Sequence, residues 1–309
     1  MTLKKKMLGE TAPETLFYYC SLETFLNIIE KKTVWLCELG KSNDALEQKY
    51  FAKLTLEKFD ELIIPCNKRL KDKIRKANIF ETLQNWLNSY HPDPAWAMCL
   101  SQKEDDLSQW RGYGDDAKGI CIGFNYKALR EIDSLFTRKS TNENNAFMKL
   151  EQIDYSLDFV MELFERIFHS YTKENPTTED IEETFKESFI SSFRDPFYKH
   201  PAFEAEEEWR IVYSKIDTDK ECTFHFDLLN QNEKFAKNFH LEKLAYKINN
   251  GQIVSHIELG IPNMLNVIDK IYIGPKCKAT KEDINSLIKY YFNKDFENAI
   301  FNSKAYSYR

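Results

Sequence analysis

The sequence has little glycine and little proline, with 9 residues of each among 309. This scarcity excludes long linkers, collagen-like repeats and extended disordered stretches. The chain is instead 42% hydrophobic, and its aromatic residues include 23 Phe and 16 Tyr. A chain of this length and composition is able to bury a sizeable core, so we expect a compact folded protein.

The sequence lacks paired cysteines and paired histidines. Its cysteines lie singly, at Cys20, Cys37, Cys66, Cys99, Cys121, Cys222 and Cys277. An odd number of cysteines without a CxxC pair argues against both a disulfide framework and a thiolate metal cluster. No two histidines have HxH or HxxxH spacing, so no metal ligands are predicted. The cysteine pattern favours a reducing cytoplasm.

Long apolar runs and a basic charge balance are also missing. No run approaches the roughly 18 residues that span a bilayer, and no apolar segment follows the N-terminal lysines. We therefore expect a cytoplasmic protein without a membrane partner. The net charge of -6 argues against bulk electrostatic binding to nucleic acid or anionic lipid.

Strand and helix patterns alternate along the whole chain. An aromatic run over 16–20 predicts a first strand, and Ser21 is suited to cap the amphipathic helix that follows. Asn-Gly at 250–251 predicts a hairpin between strands over 245–248 and 252–259. We find no repeat and no break in composition. The pattern predicts one α+β domain over residues 1–309, with helical insertions at about 45–90 and 157–198.

The most distinctive stretch runs from His200 to Tyr213, where a series of acids leads into a strand-like pattern. In an extended chain, alternate residues share a face. Trp209 and its alternate neighbours would then be buried, while Glu206, Glu208 and Arg210 project together from the other face. Carboxylates beside a guanidinium are typical of a working site with shifted pKa values. The alternative is an edge strand with a surface ion pair of little energetic weight.

A second set of landmarks surrounds Tyr113. Gly112 and Gly114 flank this tyrosine and are expected to leave room for a close backbone approach. They lack the spacing of a phosphate-binding loop. His256, in the predicted hairpin, either joins an active face or has a local partner; the pattern favours the local partner.

These landmarks together resemble a family of bacterial proteins, domain of unknown function 2971 (DUF2971). The similar segments follow one another in order along nearly the whole chain: Tyr19-Cys20-Ser21-Leu22, Asn43-Asp44 with Glu47, Trp110 and Tyr113, Lys118-Gly119, Ile122-Gly123-Phe124, Lys199 to Phe203, Glu206, Glu208-Trp209-Arg210, Ile273-Gly274-Pro275 and residues 303–309.

The layout of that family looks like that of ADP-ribosyltransferases, so the resemblance implies a mixed or antiparallel split β-sheet core. It also implies cleavage of the N-glycosidic bond of NAD, through a transition state with oxocarbenium character that a carboxylate stabilises. A first-strand position that often carries His in such proteins is Tyr18 here. The association of the family with mobile genetic elements suggests a bacterial defence or toxin effector.

The resemblance implies a role for each candidate residue. Glu208 would stabilise the transition state and Glu206 would orient the acceptor, which could be a protein or a nucleic acid. Arg210 would hold a carboxylate or phosphate. The remaining NAD-binding candidates are Tyr19 and Ser21 near the first helix, Trp110 and Tyr113 as stacking rings, and Asn43 and Asp44 near the mouth.

Two other functions remain open. In a metal-dependent nuclease or hydrolase acting on nucleic acid, Asp44, Glu206 and Glu208 would hold Mg²⁺. In a non-catalytic sensor, the same cleft would bind a nucleotide or a protein partner.

Overall fold

The computed structural model describes residues 12–41, 50–62, 95–134, 145–156, 195–216, 239–249 and 251–308. It also describes single positions between 68 and 85 and between 177 and 180. The predicted strand over 222–226 lies outside these residues.

The elements of the described residues alternate between strands and helices. The strands are β1 (Thr15–Cys20), β2 (Thr33–Glu38), β3 (Ala95–Ser101), β4 (Ile120–Asn125), β5 (Asn145–Gln152), β6 (Glu208–Ile216), β7 (His240–Asn249), β8 (Gln252–Gly260), β9 (Ile268–Ile273) and β10 (Ile300–Asn302). The α-helices are α1 (Leu22–Lys31), α2 (Tyr50–Glu57), α3 (Phe59–Leu62), α4 (Leu107–Tyr113), α5 (Tyr126–Leu129) and α6 (Lys281–Phe292). The predicted α+β class is confirmed.

The strands form one mixed sheet in the order β10-β9-β4-β1-β3-β2-β8-β7, with β6 on the other edge of β3 and β5 beyond β6. The pair β9–β10 is parallel, and the other pairs among the described strands are antiparallel.

The sheet forks at β3, because β1 and β2 share one edge of that strand. β1 pairs with it only through Phe17 and Ser101. β2 pairs with it through Cys37 and Glu38, near the opposite end of β3. Within the described residues, no strand pairs with 98–100 on this edge, although β6 pairs with them on the other. The sheet therefore divides into two branches, β1-β4-β9-β10 and β2-β8-β7.

The main core lies on the face of the sheet that α1 and α6 cover. Phe25, Ile28 and Ile29 of α1, together with Ile284 and Ile288 of α6, are buried in it. Full burial of each such side chain is worth about 1.5 to 3 kcal/mol. The helices thus cover one face of the sheet, and Glu208 and Arg210 lie buried on the other.

The chain divides into two compact units. The first, comprising residues 1–38, 94–152 and 205–309, contains all ten strands with α1, α4, α5 and α6. The second comprises residues 39–93 and 153–204. In this unit the rings of Tyr50 and His200 meet at 5.5 Å, and Asp154 forms a parallel bridge with Tyr198. Its two segments contain the predicted insertions.

Several local predictions need correction. Glu206 ends a 3₁₀ helix, Pro201–Glu206, instead of sharing the extended strand with Glu208. The segment around Tyr113 is helical, and a Cβ on Gly112 would meet nothing within 4 Å. A Cβ on Gly114 would lie 2.9 Å from the Trp110 carbonyl oxygen, so the predicted close approach holds for Gly114 alone of the two. His256 has a local partner as predicted, because its Nε2 lies 3.8 Å from Glu258 Oε1, although neither ring nitrogen makes a hydrogen bond.

The described part of the chain contains no helix with the length and apolar character needed to cross a membrane.

Candidate active site beside the fork of the sheet

Glu208 and Arg210 form a buried ion pair at the start of β6. Arg210 Nε donates to Glu208 Oε1 at 2.6 Å, and Arg210 Nη2 donates to Glu208 Oε2 at 3.2 Å. The two residues are 4% and 0% exposed, whereas the alternate residues Trp209 and Ile211 pack in the main core. The predicted division of this strand into two faces is therefore confirmed from Glu208 onward. The bidentate geometry is that of strong carboxylate–guanidinium pairing.

The pair lies one strand away from the fork. Glu208 is paired with Ser101 and Arg210 with Cys99, so these residues share a face of the sheet. Neighbouring strands are about 4.8 Å apart. Cys99 is exposed and lies in the part of β3 where β1 and β2 separate.

Glu206 is turned away from this pair by the backbone between them. Glu207 has a φ of 46°, in the left-handed region, which ends the extended pattern. Ser101 Oγ donates to the carbonyl oxygen of Glu206 at 2.6 Å, and the amide of Gln102 donates to the carbonyl of Glu207 at 3.1 Å. The end of β3 thus fixes the turn that separates the two carboxylates.

Tyr113 and Glu206 form the accessible part of the site. The Tyr113 hydroxyl donates to Glu206 Oε1 at 2.8 Å. Tyr113 is 49% exposed and Glu206 is half-buried. This contact joins a ring and a carboxylate from segments 93 residues apart. The two therefore combine a stacking surface with a negative charge.

Helix α4 presents Tyr113 at its last residue. Asp106 caps the helix by accepting hydrogen bonds from the amides of Ser108 and Gln109. Burial opposes the ionisation of Asp106, but these hydrogen bonds outweigh it and hold the pKa of the carboxyl below its ordinary value.

Tyr19 of β1 packs against Trp110 of α4 and contacts the loop before that helix. The Tyr19 hydroxyl donates to the Lys103 carbonyl at 2.7 Å and accepts from the Asp106 amide at 2.9 Å. The two rings meet edge to face at 4.9 Å, and Trp110 is 0% exposed. Trp110 Nε1 also donates to Asp105 at 2.8 Å. Tyr19 and Trp110, which were predicted to contact NAD, thus pack against each other and hydrogen-bond to the loop before α4.

Ser21 has a helix-capping role. Its side chain accepts a hydrogen bond from the amide of Thr24, at 3.1 Å, at the start of α1. Asn43 and Asp44, the other predicted contacts near the mouth, lie outside the described residues.

Tyr18 lies on β1 where the sheet forks. Loss of water around its hydroxyl raises its pKa well above the ordinary value, and the thiols of Cys20, Cys37 and Cys99 add to this shift. At physiological pH, Tyr18 is thus a neutral phenol among thiols, in contrast to the cationic residue that a histidine would supply. The sequence pattern did not reveal these neighbours, since the cysteines come from three strands.

Gly119 and Gly274 lie where backbone segments pass close to one another next to α4. A Cβ on Gly119 would lie 1.9 Å from the Cys20 carbonyl oxygen, and one on Gly274 would lie 2.5 Å from the Ala117 carbonyl oxygen. Asp115, Asp116 and Ala117, which follow α4, all have positive φ. The glycines therefore allow a left-handed turn to pack against β1 and β9.

No three His, Cys, Asp or Glu side chains in the described ranges are grouped so as to hold a metal ion. This covers Glu206 and Glu208, while the third ligand of the magnesium hypothesis, Asp44, lies outside those ranges.

Comparisons with known proteins bear on the middle of the chain. No curated protein and no solved structure matches the chain significantly. A family model described as "Protein of unknown function (DUF2971)" matches residues 109–211. This range runs from α4 to the first residues of β6 and includes Tyr113, Glu206, Glu208 and Arg210. The resemblance to DUF2971 read from the sequence is thereby confirmed over residues 109–211.

Proposed function

We propose that this protein is an NAD-using ADP-ribosyltransferase or NAD glycohydrolase whose accessible catalytic carboxylate is Glu206. The observation that carries the proposal is the hydrogen bond between Tyr113 and Glu206. This reaction needs a ring that stacks on nicotinamide and a carboxylate that stabilises the developing oxocarbenium ion. The exposed Tyr113 ring and the adjacent Glu206 carboxylate would supply both.

The burial of Glu208 and Arg210 changes the roles that the resemblance implies. Arg210 binds Glu208 in two places and has no exposed surface, so it is not presented to the phosphates of NAD. Glu208 is likewise held inside. We assign this pair to positioning β6, and hence the turn that carries Glu206.

The Tyr113 hydroxyl donates to one oxygen of Glu206. This contact would hold the carboxylate in one orientation toward the positive charge that develops on the ribose. Cleavage separates nicotinamide from C1′ of the ribose, and water or an acceptor nucleophile then bonds to that carbon.

The test is nicotinamide release from NAD by the purified protein, compared among Glu206→Gln, Tyr113→Phe and the control Glu204→Gln. Glu204 is a nearby exposed acid that the proposal does not use. We expect Glu206→Gln to lower the rate by about a hundredfold or more, as loss of an electrostatic stabiliser does elsewhere. Tyr113→Phe should have a smaller effect, and Glu204→Gln should retain the wild-type rate.

The proposal fails if the protein neither binds NAD nor releases nicotinamide with any acceptor tested. NAD binding without cleavage would favour the non-catalytic sensor. Loss of RNA or DNA that depends on Mg²⁺ and stops with a chelator would favour the nuclease.

A further inference from the structure

A second group of reactive side chains lies on the branch β2-β8-β7, on the face opposite the main core. Cys37 on β2 is paired with His256 on β8, and Trp35 is paired with Glu258. Lys247 comes from β7 and extends across β8 to this group. We call Trp35, Cys37, Lys247, His256 and Glu258 the branch cluster.

The lysine of the branch cluster contacts the thiol directly. Lys247 Nζ lies 3.6 Å from Cys37 Sγ and 5.1 Å from the centre of the Trp35 ring. Both Cys37 and Lys247 are half-buried, so small solutes reach the contact. The nitrogen and the sulfur are therefore already adjacent, and the lysine chain is flexible enough to bring them closer.

The histidine of the cluster is buried without satisfying its ring nitrogens. It is 3% exposed, its ring packs on Trp35 at 4.1 Å, and neither nitrogen has a hydrogen-bond partner. The Glu258 oxygen Oε1 is 3.8 Å from Nε2. Because an unpaired buried charge costs more free energy than an unpaired neutral group, burial favours the neutral ring.

His256 is uncharged at neutral pH and therefore has a free lone pair. Burial is the main cause that holds its pKa below the ordinary value, and the positive charge of Lys247 acts in the same direction. Glu258 opposes the shift and Lys243 adds to it. At neutral pH His256 therefore adds no positive charge beside Lys247.

We propose that Cys37 and Lys247 form an oxidative cross-link site, in which hydrogen peroxide converts their contact into a sulfur–nitrogen bond. The Cys37 thiol first attacks peroxide, which yields a sulfenic acid and one water. After the Lys247 ammonium loses a proton to water, the amine attacks the sulfur. The S–O bond breaks as the S–N bond forms, and the leaving hydroxide takes up a proton as a second water. The product is a sulfenamide, the class of bond that sulfenic acids form with nitrogen nucleophiles.

The cross-link would tie β2 to β7 across β8, and the inference is independent of the proposed NAD chemistry. Cys99 provides the matched comparison, because it is the exposed thiol of the described residues and lies two residues beyond the β3 partner of Cys37. Cys20 and Cys121 are buried.

The experiment treats the full-length, reduced protein with a small excess of hydrogen peroxide, traps sulfenic acid with dimedone and maps the peptides by mass spectrometry. We expect the peptides of Cys37 and Lys247 to be joined, with a mass about two hydrogens below their sum, and to be released by dithiothreitol. Cys99→Ser should give the same joined peptide. Lys247→Arg keeps the charge but lacks the amine, so Cys37 should then carry dimedone instead.

Urea unfolding of Lys247→Arg checks that this variant is folded. The inference is overturned if wild-type Cys37 carries dimedone to the same extent as in Lys247→Arg and no joined peptide forms. It is also overturned if the joined peptide persists in Lys247→Arg.

Discussion

At the scale of single residues, the buried Glu208–Arg210 ion pair affects the stability of the protein. Each charge has lost its water, and each is compensated by the other through two hydrogen bonds. Such a pair adds little stability compared with apolar residues, but removing one partner strands the other charge in the interior.

Arg210→Met should therefore lower the free energy of unfolding by about 3 to 5 kcal/mol, measured by urea titration at pH 7. The double variant Glu208→Gln with Arg210→Met should lose less than Arg210→Met alone, since the side chain that faced the guanidinium is then uncharged. Equal losses in the two variants would mean that Glu208 has other means of compensation, and that the pair is not the unit described above.

His256, also at the scale of single residues, makes the stability of the protein depend on pH. Its folded-state pKa lies below the ordinary value of about 6.5, mainly because of burial. Above pH 6.5 the ring is neutral in both states. Below it the unfolded chain takes up the proton first, so the protein loses stability as the pH falls.

His256→Phe keeps a ring against Trp35 and removes the titrating group. Between pH 7.5 and 5.5, the wild type should lose stability relative to this variant, by at most about 1.4 kcal/mol per pH unit. Urea unfolding of both proteins across this range measures the difference, in which the other titrating groups cancel. A constant difference would contradict the assigned pKa shift.

At the scale of elements, glycines of the same segment have opposite roles. Gly112 lies inside α4 with open space around it, whereas Gly119 directly precedes β4, and a Cβ on it would lie 1.9 Å from the Cys20 carbonyl oxygen. Glycine in a helix costs about 0.5 to 1 kcal/mol compared with alanine.

Gly112→Ala should accordingly raise the free energy of unfolding by up to about 1 kcal/mol. Gly119→Ala should lower it by about 1 to 3 kcal/mol or more, because backbone atoms have to move apart. Thermal or urea unfolding of both variants tests the contrast. Similar effects of the two changes would show that the crossing at Gly119 is looser than described.

At the scale of the whole molecule, the charge balance sets what the protein binds without specificity. The net charge is -6, and a favourable phosphate interaction requires a cationic surface. We therefore predict no binding of the full-length protein to a labelled random DNA duplex at about 0.15 M salt. Fluorescence anisotropy provides the measurement, with a basic DNA-binding protein as the positive control. Binding that weakens steeply with salt would contradict the prediction and point to the lysines and arginines of residues 68–76.

The local elements were largely predictable, and the site was not. The caps Ser21 and Thr280, the 3.6-residue periodicity and the Asn-Gly turn each act over a few residues, so α1, α6 and the β7–β8 hairpin follow from the sequence. Helix α4 was missed because Gly112 within it and Gly114 directly after it have low helix propensity. Its cap Asp106 was the available signal.

The sequence by itself determined the α+β class, the alternation of β6 into an apolar face and a face that carries Glu208 and Arg210, and the resemblance that includes residues 109–211. Only the tertiary structure decided that β1 and β2 share an edge of β3, that Arg210 is occupied by Glu208, and that Glu206 meets Tyr113. The physical reason is that periodicity and capping are local, whereas strand pairing and burial depend on segments that are distant in the chain.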